Sequence, residues 1–174
     1  MSGRSIGYSD FLMKTFPRDM AMNMRLLLLL LTVSFLSKNT WAADTNQLLL
    51  AAAGLGQEQQ VQSLLAQGAD ANAKNVAGRP ALLLAAFNGN ARTIKALLSA
   101  GADVNAVDES GNSALMDAAA FGHEAAVVAL IQAGANVNLK NKAGAGALKR
   151  ATLGMHPSVV KLLEAAGATE GGDS

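Results

Sequence analysis

The chain contains no cysteine. This excludes a disulfide framework, a cysteine-containing zinc site and a cysteine nucleophile. Aromatic residues are also scarce, at 4% of the 174 residues, whereas hydrophobic residues as a whole reach 51%. The apolar content is mostly alanine and leucine, which favour short, closely packed helices over a sheet.

Neither sign of charge dominates the sequence. The formal net charge is +1 for the whole chain, and residues 43–174 carry nine Lys or Arg against eleven Asp or Glu. Domains that bind nucleic acid usually show a basic stripe and a marked excess of positive charge. We therefore expect no nucleic-acid partner.

Groups of residues that would support catalysis are also missing. The two histidines, His123 and His156, lie 33 positions apart, and only Glu124 stands beside either of them as a further ligand. A metal shared by both imidazoles is the alternative to a structural role for them. No glycine-rich loop precedes a Lys-Ser or Lys-Thr pair, so no phosphate-binding loop is predicted. We expect no catalytic residues, no metal, no cofactor and no enzymatic activity.

Residues 1–42 show the pattern of an export signal. The apolar run Leu26–Leu36 follows Arg25 and is followed in turn by the small residues Thr40 and Ala42. A basic residue, a short apolar core and a small-residue cleavage site are typical of a secretory signal peptide. The run is shorter than the roughly 20 residues of a membrane-spanning helix. We predict cleavage after Ala42, with no stable membrane anchor left afterwards; a buried helix of the fold is the alternative.

Three methionines, Met20, Met22 and Met24, lie just before the basic residue of this segment. Translation from any of them would give a signal peptide of ordinary length. We therefore expect the true start at one of these positions, with residues 1–19 an over-long extension.

A unit of 33 residues repeats along the remainder of the chain. Gly-Ala pairs begin at Gly68, Gly101, Gly134 and Gly167. Leucines keep the same step at Leu64, Leu97, Leu130 and Leu163. A period of this length indicates stacked supersecondary units, each burying its apolar face against its neighbours.

The third unit shows how each repeat should fold. Ser113 is placed to cap a short first helix, and Gly122 is placed to end it in a left-handed conformation. A second helix is predicted from Glu124 to Ala133, and an extended hairpin rich in Asn, Asp and Gly follows. The series Asn72, Asn105 and Asn138 is expected to bond backbone groups in the turns.

This pattern resembles the ankyrin repeat, a β-turn followed by two helices. Gly-Ala-Asp-Ala-Asn-Ala at 68–73 and Gly-Ala-Asp-Val-Asn-Ala at 101–106 match the family's repeat ending closely. The resemblance implies an all-α solenoid of four helix-turn-helix repeats with short β-hairpin loops, forming an ankyrin-repeat domain over residues 43–174. The repeats are expected at about 44–73, 74–106, 107–139 and 140–169.

The family's Thr-Pro-Leu-His tetrapeptide is absent from all four repeats. Leu50, Leu83 and Met116 stand at its histidine position, where we expect them to pack in the core. Lys149 stands there in the fourth repeat, as expected where no further repeat stacks.

The resemblance also implies that a protein partner binds the concave face formed by hairpin tips and first helices. The predicted contacts on the hairpin tips are Val76, Arg79, Glu109, Asn112 and Lys142. Those on the first helices are Leu84, Phe87, Asn88, Asp117, Phe121, Arg150 and Leu153. Phe87 and Phe121 are expected to anchor the interface, with Arg79, Asp117 and Arg150 supplying oriented charge pairs around them. The alternative is that both rings pack between repeats.

The sequence is similar to small periplasmic ankyrin proteins of Gram-negative bacteria. It therefore predicts an exported interaction module that binds a periplasmic protein. An immunity protein that neutralises a secreted toxin, and an accessory protein in envelope or oxidative-stress defence, are the competing roles. A structural component of the envelope is a further alternative.

Overall fold

The computed structural model describes residues 45–170, and within them it forms eight helices. Helix α1 covers residues 45–55. The others are α2 (Glu58–Ala66), α3 (Ala81–Phe87), α4 (Ala91–Ser99), α5 (Ala114–Ala120), α6 (Glu124–Gln132), α7 (Ala147–Leu153) and α8 (Pro157–Ala165). Strand pairing among these residues is limited to two isolated antiparallel bridges, Lys74 with Pro80 and Val107 with Ser113. The predicted all-α solenoid is confirmed.

The helices stack in two layers. The first helices of successive repeats, α3, α5 and α7, contact one another, as do the second helices α2, α4, α6 and α8. Within each repeat the first helix packs on the second, as in α5 with α6. Each repeat thus stacks on its neighbours in sequence, which is the arrangement of a solenoid.

The core between the layers is built from leucine and alanine. The leucine series of the second helices is buried throughout, and Leu97 is fully enclosed. Ala85 and Ala86 on α3, with Ala118 and Ala119 on α5, have no exposed surface, so their small side chains let first helices approach closely. Leu83 and Met116 are also buried, which confirms apolar packing at the family's histidine position.

Helix ends follow the predicted local chemistry in the third repeat. The Ser113 hydroxyl accepts a hydrogen bond from the backbone N–H of Met116 at 3.3 Å, which confirms the cap. Gly122 has φ of 71°, in the left-handed region where glycine is the least strained residue. Met155 occupies the same position in the fourth repeat with φ of 57°, and its side chain is exposed.

An asparagine ladder ties each repeat to the next. Asn72 accepts from the backbone N–H of Asp103 at 2.8 Å and donates to the carbonyl of Gly101 at 3.3 Å. Asn138 bonds Thr169 and Gly167 in the same way. The asparagines do bond backbone groups as predicted, but the groups belong to the following repeat and not to the residue's own turn. The period of the series is therefore set by stacking between repeats.

The two histidines hold a second inter-repeat contact. The Nε2 atom of His123 lies 3.0 Å from the carbonyl oxygen of Phe87, and that of His156 lies 3.1 Å from the carbonyl oxygen of Ala120. A carbonyl oxygen only accepts, so Nε2 carries the proton in both rings. Asn90 fills the same place in the second repeat by donating to the carbonyl of Ala53. These side chains act as staples between repeats.

The predicted export signal lies outside the described residues, so its cleavage stays a prediction. Between residues 45 and 170, no helix has both the length and the apolar character needed to cross a membrane.

Candidate partner-binding surface

The two phenylalanines that the sequence singled out meet at the ends of neighbouring first helices. Phe87 is the last residue of α3, and Phe121 directly follows α5. Their ring centroids are 4.6 Å apart with an interplanar angle of 66°, an edge-on contact. Phe87 remains 39% exposed and Phe121 47% exposed. The rings therefore pack on each other across the repeat boundary and still present a substantial aromatic surface to solvent.

This pair belongs to a longer row of exposed apolar side chains. Leu55 closes α1 and Leu153 closes α7, and both are more than two-thirds exposed. Every repeat thus places one large apolar residue at the end of its first helix. We call this row, Leu55, Phe87, Phe121 and Leu153, the apolar stripe. Exposed apolar side chains that recur in this way are a candidate interaction site.

Leu55 was missed by the sequence prediction. Leu55 lies 33 positions before Asn88, which was predicted as a partner contact. The repeat register would therefore have identified Leu55. Asn88 is exposed, and its side-chain amide donates to the carbonyl of Leu84 at 3.0 Å. Leu84 is half-buried and packs against the core, so it offers a partner less surface than predicted.

Beneath the stripe lies an ion-pair network that spans three repeats. The Asp117 carboxylate is 2.7 Å from Nη2 of Arg79 and 3.3 Å from Nη1 of Arg150. The Asp117 side chain is only 4% exposed, and the two arginine side chains are about one-quarter exposed. Burial raises the pKa of Asp117, and the charges of Arg150 and Arg79 offset part of that rise.

The role predicted for Asp117 therefore needs correction. The sequence placed it among the residues that contact a partner, but its carboxylate is buried and already holds two guanidinium groups. Arg79 and Arg150 are not independent surface charges either, because both are bound to Asp117. A carboxylate on a first helix reaches arginines of both neighbouring repeats only once the repeats are stacked, and the linear sequence does not show this.

Two further contacts connect this network to its surroundings. The Asn112 side-chain oxygen accepts from Nη1 of Arg150 at 2.9 Å and from the side-chain amide of Asn141 at 2.8 Å. The Arg79 guanidinium lies over the Phe87 ring, 5.2 Å from its centroid. Such a cation–π contact favours a fixed ring position. The network therefore positions the aromatic centre of the stripe, and Asn112 belongs to this support.

The hairpin tips share one geometry in repeats two to four. A side-chain oxygen of Asn75, Asp108 or Asn141 accepts two backbone N–H bonds across its own tip. Burial acts to raise the pKa of Asp108, but hydrogen bonds from Asn112 and Ser110 and the charge of Arg79 outweigh it and hold that pKa below 3.8. These bonds hold the three tips in the same conformation.

The predicted tip residues Val76, Glu109 and Lys142 all point into solvent. Val76 is fully exposed. They lie on the hairpins, whereas the stripe lies at the ends of the first helices.

Within residues 45–170 no group of three His, Asp or Glu side chains is placed to hold a metal ion. The Nε2 atoms of His123 and His156 each hydrogen-bond a backbone carbonyl oxygen, as described above. The arrangement offers noncovalent chemistry: exposed apolar side chains held in place by a buried polar network.

Such a stack of helical hairpins with an ordered, exposed face defines a repeat scaffold for binding. Residues 48–141, more than half of the chain, match the family model for ankyrin repeats in three copies. The chain therefore belongs to the ankyrin-repeat family. The fourth repeat lies largely beyond the matched segment but continues the same stacking through α7 and α8. A comparison with curated proteins finds no match.

Membership of this family makes the chain a protein–protein interaction module. Ankyrin repeats generally serve as interaction scaffolds and not as catalysts.

Proposed function

We propose that this protein is exported and binds a protein partner in the periplasm through the apolar stripe. The observation that carries the proposal is the Phe87–Phe121 pair, exposed at the centre of the stripe and held by Arg79. Aromatic side chains that are already ordered lose little entropy on binding, and such residues dominate interface energies.

The compartment follows from the N-terminal segment. Arg25, the apolar run Leu26–Leu36 and Ala42 have the composition and order of an export signal. Cell fractionation followed by N-terminal sequencing tests this part. We expect a periplasmic chain that starts at Ala43, and a cytoplasmic chain that retains residues 26–42 would refute export.

Site-specific photo-cross-linking tests the surface. A photoreactive amino acid at position 121 should cross-link to one partner in cells, and the same group at Lys161 should not. Lys161 is exposed on α8, in the layer of second helices, so it controls for nonspecific capture. Equal cross-linking from both positions would contradict the proposed surface.

Affinity measurements with the captured partner complete the test. Phe121→Ala and Phe87→Ala should each weaken binding by at least about 2 kcal/mol, as expected for an interface anchor. Thermal melts of the same variants separate binding from folding: unchanged affinity per folded molecule, with a large loss of stability, would assign both rings to the core. The identity of the partner then decides the role. A toxin domain supports immunity, and an envelope or redox-defence protein supports the accessory role.

A further inference from the structure

Charge is distributed unequally along the repeats, although residues 45–170 carry as many basic as acidic residues. Residues 74–87, 107–121 and 140–153, which run from the middle of each hairpin to the end of the first helix, carry twice as many basic residues as acidic ones: Lys74, Arg79, Lys140, Lys142, Lys149 and Arg150 against Asp108, Glu109 and Asp117. The second helices and the segments that follow them show the reverse: Glu58, Asp70, Asp103, Glu124, Glu164 and Glu170 against Arg92, Lys95 and Lys161. The segments that bear the apolar stripe therefore carry an excess of basic residues, which comes from the second and fourth repeats.

The acidic groups of these segments mostly bind other groups of the protein itself. Asp117 is buried between two arginines, so this trio keeps one uncompensated positive charge. The Asp108 carboxylate accepts hydrogen bonds within its own hairpin tip. Glu109 is the remaining carboxylate exposed to solvent. A partner would therefore meet mainly positive charge here.

The fourth repeat concentrates this charge beside the stripe. Its hairpin and first helix, residues 140–153, contain four basic residues and no acidic one. Lys142 and Lys149 are exposed, and Lys149 lies on the same helix as Leu153, the last residue of the stripe. Apolar and basic side chains thus lie side by side at this end of the array.

We infer that the partner presents an acidic segment whose apolar side chains contact the stripe and whose carboxylates face Lys142 and Lys149. This inference rests on the proposed function and specifies the partner's chemistry. Complementary charge steers a partner to its site and rejects like-charged competitors, while the apolar contacts supply most of the affinity. A basic or neutral apolar segment would lack the steering by complementary charge.

Synthetic peptides of equal length test the inference with the purified protein. The first, labelled with fluorescein, alternates glutamate with leucine and phenylalanine. In the second every glutamate is glutamine, and in the third every leucine and phenylalanine is alanine. Fluorescence anisotropy should show binding of the first peptide that weakens with added salt, and weaker binding of both others. Equal affinity for the first two peptides would overturn the charge requirement, and equal affinity for the first and third would reduce the site to a general anion binder.

Charge-reversal variants locate the contact. Lys142→Glu with Lys149→Glu should reduce affinity for the acidic peptide by roughly fivefold or more, since each exposed ion pair contributes modestly. Lys161→Glu makes the same kind of change in the other layer of the same repeat and should leave the affinity unchanged. Equal losses in both proteins would mean that overall charge, and not this face, binds the peptide.

Two results separate this inference from the proposed function. If the unchanged protein binds the neutral and the acidic peptide equally well and Phe121→Ala weakens the binding of both, the stripe is the site and the charge inference fails. Sedimentation of the protein alone tests self-association as the alternative occupant, since the chain carries exposed acidic residues that could face the basic residues of a second copy. A dimer that is disrupted by Lys149→Glu would overturn the proposal of an acidic partner.

Discussion

The Nη2 atom of Arg79 lies 2.7 Å from Oδ2 of Asp117, joining the hairpin of the second repeat to the first helix of the third. Arg150 of the fourth repeat binds the other oxygen of the same carboxylate. A single buried aspartate thereby connects three repeats. The stacking of this array depends on a polar contact as well as on its leucine core.

Asp117→Ala should lower the free energy of unfolding by roughly 1–3 kcal/mol. Removal of one member of a buried ion pair leaves its partners without a counter-charge. The loss of stability here should be smaller than for a fully buried pair because both arginines reach solvent. Chemical denaturation measures the change. Glu109→Ala, an exposed carboxylate in the same repeat, is the matched control and should change stability by less than about 0.5 kcal/mol. Similar values for the two variants would show that the network contributes nothing to folding.

Leu97→Ala should cost about 2–5 kcal/mol, the usual range for a buried leucine. Leu97 is fully enclosed on α4, between the second helices of both neighbouring repeats. Leu153→Ala is the control because that side chain is largely exposed, and its effect on the unfolding midpoint should be small. A loss below about 0.5 kcal/mol for Leu97→Ala would contradict the core assignment.

Gly122→Ala should destabilise the fold more than Gly134→Ala. Both glycines have positive φ, so alanine is strained at each, typically by about 1 kcal/mol. Only at Gly122 would the new Cβ also meet a neighbour, lying 2.5 Å from Nδ1 of His156. At Gly134 no atom lies within 4 Å of the added carbon. The difference between the melting temperatures of the two variants measures the cost of the contact with the His156 ring. Equal melting temperatures would mean that this ring moves aside freely.

Asp108→Asn should remove an acid-sensitive part of the stability. The folded-state pKa of Asp108 is held below 3.8, so the carboxylate stabilises the fold above that value and loses this contribution as pH falls through the folded pKa. Asparagine occupies the same place in the other two tips, so the hairpin should be retained. Denaturation midpoints of both proteins should be measured from neutral pH downwards. The difference between the two midpoints should be smaller below pH 3.8 than at neutral pH. A constant separation would contradict this account.

Thr93→Val should leave stability unchanged or raise it by up to about 1 kcal/mol. The Thr93 side chain is buried on α4, and its hydroxyl finds no hydrogen-bond partner within the described part of the chain. Replacing an unsatisfied buried hydroxyl with a methyl group of similar shape removes a desolvation cost. Thr152→Val is the comparison, because the Thr152 hydroxyl donates to the carbonyl of Leu148 at 3.0 Å. A clear loss of stability at Thr93 would imply an unseen partner for its hydroxyl.

The repeat register and the core were readable from the sequence because stacking is periodic. Each residue of a series such as Leu64, Leu97 and Leu130 meets the same surroundings one repeat further on, so a step of 33 residues identifies buried positions without knowledge of the fold. The caps and left-handed glycines were equally accessible, since they depend on a few neighbouring residues.

The candidate surface was only partly readable. Phe87 and Phe121 were found by their rarity, but their mutual contact was not, because they are one position out of phase with the repeat. Leu55 escaped notice since leucine is common in this chain and gives no signal of its own. Asp117 looked like a surface charge because a polar residue in an amphipathic helix is normally exposed.

The sequence by itself determined the repeat length, the helices, the buried leucine and alanine series and the membership of the ankyrin family, because each of these depends on local propensity or on strict periodicity. Only the tertiary structure decided that Arg79, Asp117 and Arg150 share one site, and that the rings of Phe87 and Phe121 meet. Those relationships arise between repeats, where the stacking geometry decides which side chains of neighbouring repeats come into contact.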